Sequence, residues 1–177
     1  MTGPRVVDTN VILVANAAHD AASPECVKEC VLQLGRIMQS GAIVVDDGYR
    51  IVMEYQNKTS SRKGVGVGDV FVKWVLTNLQ RPDKVHQVTL NQHAEDHYAE
   101  FPDADLEKIF DASDRKFVAV AYAHPKRPPI WQAVDCKWLD WWEPLKKHGI
   151  TIEFLCKDDA CRFYAKKFSG KPLPKLP

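Results

Sequence analysis

The sequence predicts an α/β fold, a three-layer α/β/α sandwich around a central, mostly parallel sheet, and three observations lead there. Short apolar runs at residues 6–7, 42–45, 85–90, 130–134 and 150–154 alternate with stretches of helical periodicity. Strands that alternate with helices imply parallel pairing, because a parallel pair needs a long crossover between its strands. At 177 residues the chain fits one domain, and a domain of that size buries roughly 70% of its unfolded surface without a staple.

The elements follow in order. Val6 and Val7 form a strand that ends at Asp8, and VILVANAA opens a helix. Ser23-Pro24 starts the next helix, since serine caps free amides and proline suits the first turn. Its buried face is Cys26, Cys30, Leu34, Ile37 and Met38, and Gly41 stops it. The strand at 42–45 leads to a helix capped by Asp46 or Asp47 that carries Glu54 and runs to about Asn57. KTSSRKGVGVG over 58–68 reads as a flexible loop, with Asp69 capping a helix striped by Val70, Phe71, Trp74, Val75 and Leu79. A strand at 85–90 and a helical turn come next. Asp111 or Ser113 begins a helix through Phe117, Val118, Ala121 and Tyr122, closed by His124-Pro125. The strand at 130–134 ends at Asp135, a polar Trp-rich segment leads into a helix ending at His148-Gly149, and a last strand and a helix near 159–168 finish the chain.

Hydrophobic residues at 45% and charged residues at 27% exclude the disordered and membrane classes. Without a signal core or a membrane-length apolar run, the expectation is a cytoplasmic protein. The five cysteines, Cys26, Cys30, Cys136, Cys156 and Cys161, show no paired framework and read as reduced thiols. The net charge of +1 is uneven: Arg162, Lys166, Lys167, Lys171 and Lys175 face no acid after residue 161, which leaves the rest at −4. Such a tail is either a contact for a polyanion or a solubilising end. Residues 1–155 make the domain, and 156–177 a C-terminal helix and basic tail that pack on it or extend it.

Asp8 and Asp135 both follow apolar strands, so a parallel sheet brings them to the edge where such sheets bind ligands. Spacing alone does not carry Glu54 and Asp114 to that edge. VVDTNVIL resembles the opening strand and Asp-Thr-Asn of PIN-domain nucleases, IVMEY their glutamate helix, DRKFVAVA their third acidic motif and QAVDCKWL their fourth, over about residues 5–154. The resemblance implies a PIN-like sandwich in which Asp8, Glu54, Asp114 and Asp135 are the catalytic metal ligands. Asp111 is an alternative neighbour to Asp114. It further implies a metal-dependent endoribonuclease with an RNA substrate, an antitoxin or other regulatory protein as partner, a homodimer, and a toxin or phage-defence role.

The chemistry agrees on the ion. Two carboxylates about 4 Å apart repel by roughly 4 kcal/mol at an effective dielectric near 20, and oxygen-only donors suit Mg²⁺ or Mn²⁺. Asn10 is expected to bond a metal water or a phosphate, or else to cap its helix. Taken singly, each acid also has a plain role as a helix cap, surface residue or turn residue.

Other features weigh less. RKGVGVGD lacks the strand and the final lysine of a P-loop, and Arg62 and Lys63 are read either as substrate-backbone contacts or as part of a plain connection. HAEDH misplaces the glutamate of H-E-x-x-H, so His93 and His97 read as an exposed helix. Trp131, Trp138, Trp141 and Trp142 either stack on bases or pack the core. A structure-specific DNA nuclease and a non-catalytic binding module are the rival readings. A haloacid-dehalogenase-type phosphatase would need an aspartate where Asn10 stands.

Overall fold

In the computed structural model, which describes residues 3–60 and 65–177, parallel strands alternate with helices. β1 (Val6–Val7) pairs with β6 (Ile130–Gln132), and β6 with β7 (Ile152–Phe154), both in parallel; Val6 faces Ile130, which faces Ile152. β2 (Ile43–Asp46) and β3 (Val85–Val88) form a second parallel pair. A parallel bridge between Arg5 and Ile43 joins that pair to the β1 edge. Every residue of β1, β2 and β6 is buried, which is why these strands read as unbroken apolar runs rather than alternating ones.

The helices form where the sequence supplies caps. Asp8 accepts from the Asn10 amide at the start of α1 (Thr9–Ala15). Ser23 accepts from the Cys26 amide at the start of α2 (Pro24–Ser40), which Gly41 ends. Asp46 accepts from the Arg50 and Ile51 amides at the start of α3 (Arg50–Lys58), whose N-cap, Tyr49, is left-handed at φ 59°. α4 (Val67–Thr77) begins against α1 so closely that a Cβ on Gly68 would lie 2.3 Å from the Ile12 carbonyl oxygen. Asn16 and Asp69 close that junction by exchanging hydrogen bonds at 2.9 and 3.0 Å.

α6 (Arg115–Ala123) is apolar nearly all round, and Phe117 to Val120 are fully buried. A helix of that kind belongs inside the protein, and α6 packs on β1, β2 and β6. α7 (Trp138–Lys147) buries Trp138, Leu139, Trp141, Trp142 and Leu145. Phe110 meets Trp138 edge-on and Trp141 at a tilt, with centroids at 5.1 and 4.0 Å. α8 (Lys157–Lys167) docks on the front of α2: Asp159 accepts from the Ser23 amide at 2.7 Å and Arg162 donates to the Ala21 carbonyl at 2.7 Å. Among the described residues no helix is long and apolar enough to cross a membrane.

Several expectations are corrected. Residues 91–110 hold no exposed helix around His93 and His97. They form an antiparallel hairpin of β4 (Gln92–Ala94) and β5 (His97–Tyr98), then α5 (Ala104–Ile109). Asp69 stands inside the first turn of α4, not before it, because Gly66 is the N-cap. Val70 is exposed and Val72 takes the buried place on that helix. The Trp-rich segment is itself a helix and its three tryptophans are core. The cysteines are not all thiols: Cys26 and Cys156, 130 residues apart, form a disulfide where α8 meets α2.

Candidate metal centre

Asp8 sits where β1 gives way to α1. Its backbone amide donates to the Trp131 carbonyl at 3.1 Å, which ties it to β6, the neighbouring strand. Asn10, in the first turn of α1, does the rest. Its Nδ2 donates to Asp8 Oδ1 and to Gln132 Oε1, each at 2.5 Å, while its Oδ1 accepts from the Ala133 and Val134 amides at 2.8 and 3.2 Å. One amide side chain thus clamps the end of β1 to the turn that follows β6, and Asp135 is the next residue of that turn. Asn10 therefore acts chiefly on protein groups: it fixes the Asp8 carboxylate and the Asp135 loop.

Glu54 reaches the same place from α3. The Tyr55 hydroxyl donates to the Val7 carbonyl and pins α3 over β1. Glu54 Oε1 then accepts from the Thr9 hydroxyl at 2.5 Å, directly beside Asp8, and Oε2 pairs with Lys116 Nζ at 2.5 Å. Lys116 is buried and also donates to the Ser113 carbonyl. Asp114 closes a 3-10 turn (Ala112–Asp114) that leads directly into α6. Asp111, just before that turn, is ion-paired with Lys137.

The electrostatics record the convergence. Burial raises the Asp8 carboxyl to about 7, and the charges of Asp135 and Glu54 add to the rise against hydrogen bonding from the Asn10 amide. Burial likewise raises Asp114 to about 8, reinforced by Asp8, Asp135 and Asp111 and opposed by Lys116. Asp135 is raised by burial and by Asp111, against the Lys137 amide and the charges of Lys137 and Lys167. Asp8, Glu54, Asp111, Asp114 and Asp135 thus share one field with Lys116, Lys137 and Lys167, and carboxylates outnumber cations by two. Groups so placed either hold protons or hold a cation.

The donor set is hard oxygen, which fits Mg²⁺ or Mn²⁺ and not a soft ion. Among the described residues, no three of these acids bring ligand atoms within 4.8 Å of one another; the cysteines 26, 30 and 156 alone do so. A dication there would take one or two carboxylates directly and the others through water, the usual manner of Mg²⁺. Gln132 Nε2, wholly buried beside Asp8, has no hydrogen-bond partner among the described residues, an unspent donor at the same spot.

The four acids expected from the sequence thus lie within reach of one another's charges, with Asp111 beside them, and do not pack as a ligand cluster. Arg62 and Lys63 lie outside the described residues. Sequence reasoning missed Lys116, Gln132 and Thr9. The signal α6 offered is Lys116, which with Arg115 opens an otherwise apolar helix, and Gln132 is a polar residue within an apolar strand. Comparison of the chain with family models, with curated proteins and with solved structures gives no match.

Proposed function

We propose that this chain is a metal-dependent phosphodiester hydrolase of the PIN-domain type, an endoribonuclease using Mg²⁺ or Mn²⁺ held by Asp8, Glu54, Asp114 and Asp135. The observation that carries the reading is the Asn10 clamp, which brings Asp8 and the Asp135 loop together at adjoining carboxyl ends of parallel strands, where such sheets bind ligands. The three-layer sandwich belongs to the same proposal, supported by parallel strands with α6 packed on them.

When bound, the dication supplies a water of lowered pKa and neutralises charge on the phosphate and the leaving oxygen. The chain's own residues do the positioning. Asn10 holds the Asp8 carboxylate in a fixed rotamer, and Thr9 and Lys116 hold Glu54. Lys116 also offsets part of the acid excess, so the pocket keeps its shape before substrate arrives.

The Glu54–Lys116 ion pair favours a second reading, a binding module whose acids are neutralised internally and which cleaves nothing. Digestion of defined RNA and DNA strands with and without Mn²⁺ separates the readings. The proposal expects RNA cleavage that requires Mn²⁺ or Mg²⁺ and stops with chelator. Cleavage of DNA alone would move the substrate to DNA, and intact strands of both kinds under all conditions would leave the binding module.

A further inference from the structure

Three cysteines gather at the joint between α2 and α8, remote in sequence from the acids. Cys26 and Cys30 lie one helical turn apart on α2, and Cys156 is the N-cap of α8. All three are buried, at 4%, 0% and 6% exposure. Cys26 and Cys156 are bonded, and the free Cys30 thiol lies 3.9 Å from the Cys156 sulfur. A structural staple has no need of a third sulfur in contact with it. Beside it opens a cleft of about 570 Å³ that reaches Cys26 and Cys156, so a small thiol has a route to the bond, and its lining sets Glu25, Glu29, Asp158 and Asp159 against Lys157, which slows entry of an anionic one.

We propose that Cys26, Cys30 and Cys156 form a thiol–disulfide exchange site in which the bond to Cys156 passes between Cys26 and Cys30, and which low-molecular-weight thiols of the glutathione class open from the cleft. The internal step balances without an external oxidant. Cys30 loses its proton, its sulfur attacks Cys156 Sγ, a Cys30–Cys156 bond forms and the Cys26–Cys156 bond breaks. The electron pair leaves on Cys26 Sγ, which takes up the proton. Opening by two external thiols instead reduces the bond and yields their disulfide, with both protons passing to Cys26 and Cys156. Exchange proceeds through thiolates, and burial, with Glu29 and Asp159 nearby, raises the Cys30 thiol to about 12. The internal step is therefore slow, and the Cys26–Cys156 form persists long enough to be isolated. Either partner keeps α8 fastened to the first turns of α2, while reduction leaves the Asp159 and Arg162 contacts and the packing of Ala160 and Phe163 to hold the helix there.

The test is disulfide mapping of the native full chain after equilibration in a glutathione redox buffer, acid quenching, alkylation and trypsin digestion. Lys28 separates Cys26 from Cys30, so cleavage there puts them on different peptides. The wild-type chain should give Cys26–Cys156 as the main linkage and Cys30–Cys156 as a minor one, absent from the Cys30→Ser variant. In Cys26→Ser and Cys26→Ala, which the thermal transition identifies as folded, Cys30–Cys156 should become the main linkage, at least tenfold above its wild-type share. Cys26–Cys156 as the sole linkage in the native wild-type chain would overturn the proposal. So would a Cys156 that stays alkylated or glutathionylated in the folded Cys26 variants, or stoichiometric zinc on the reduced wild-type chain, which would make the cluster a thiolate metal site.

Discussion

At the scale of single residues the site is a contest between burial and charge. Asp8 is the most constrained acid, capped onto α1, bonded by Asn10 and 5% exposed. Asp8→Asn exchanges an anionic ligand for a near-isosteric neutral one. It should lower cleavage by at least about 100-fold, as loss of a metal ligand does at the upper end of support-residue effects, while the melting temperature without metal stays level or rises; parallel nuclease assays and thermal melts check this. The pH dependence has a definite sign. Burial holds the folded-state carboxyls of Asp8 and Asp114 near 7 and 8, above their unfolded value of 3.8. The stabilisation this gives is complete below about pH 3.8 and disappears as pH climbs through 7 and 8. Asp69 and Asp159 are lowered, since backbone amides and Arg162 outweigh burial, and they act only below that range. His86 and His124, lowered from 6.5 by burial, act with the opposite sign, and their contribution is complete above that value. Melts in chelator should therefore fall from pH 7 to pH 9, and Mn²⁺ should raise the melting temperature more at pH 8 than at pH 5; an equal rise at both would count against a carboxylate site. Asp8 and Asp135 were readable because an acid after an apolar strand is a local pattern. Lys116 was not, because its partner Glu54 lies 62 residues away.

At the scale of elements, legibility followed burial pattern and caps. The Ser23-Pro24 start and the Gly41 stop of α2 fall where the sequence put them, because each is set by neighbouring backbone amides. The hairpin at β4 and β5 was invisible, since its strands are short and β4 is wholly exposed, without apolar alternation. The end of α7 at His148 was legible, but its first turns hid behind their charges, although Trp138, Trp141, Trp142 and Leu145 keep helical spacing. Reading that stripe correctly makes tryptophan a core residue and gives a test. Trp138 is fully buried against Phe110 and Trp141, and its Nε1 has no partner to lose among the described residues. Trp138→Ala should destabilise the fold by roughly 3–5 kcal/mol through the cavity it leaves, a fall of about 10 °C in melting temperature by calorimetry. A change within 2 °C would contradict the core assignment.

At the scale of the whole molecule, the parallel sheet does what no local pattern can. It turns acids at positions 8, 54, 114 and 135 into one neighbourhood by aligning strand ends and pinning α3 and α6 over them. The sequence carried the convergence of Glu54 and Asp114 only through resemblance, because spacing says nothing about which distant ends meet. The same limit hid the Cys26–Cys156 bond, whose partners come together only when α8 folds back on α2. That fold-back also carries part of the basic tail inward, and Lys167 acts on Asp135. The C-terminal charge asymmetry therefore bears on the site as well as on solubility. If the acid excess is a cation site, the chain binds Mn²⁺ through Asp8. Titration of the wild-type chain and Asp8→Asn with Mn²⁺, followed by electron paramagnetic resonance, should show saturable binding in the wild type that weakens at least tenfold in the variant. Equal binding by both chains, or none by either, would contradict it.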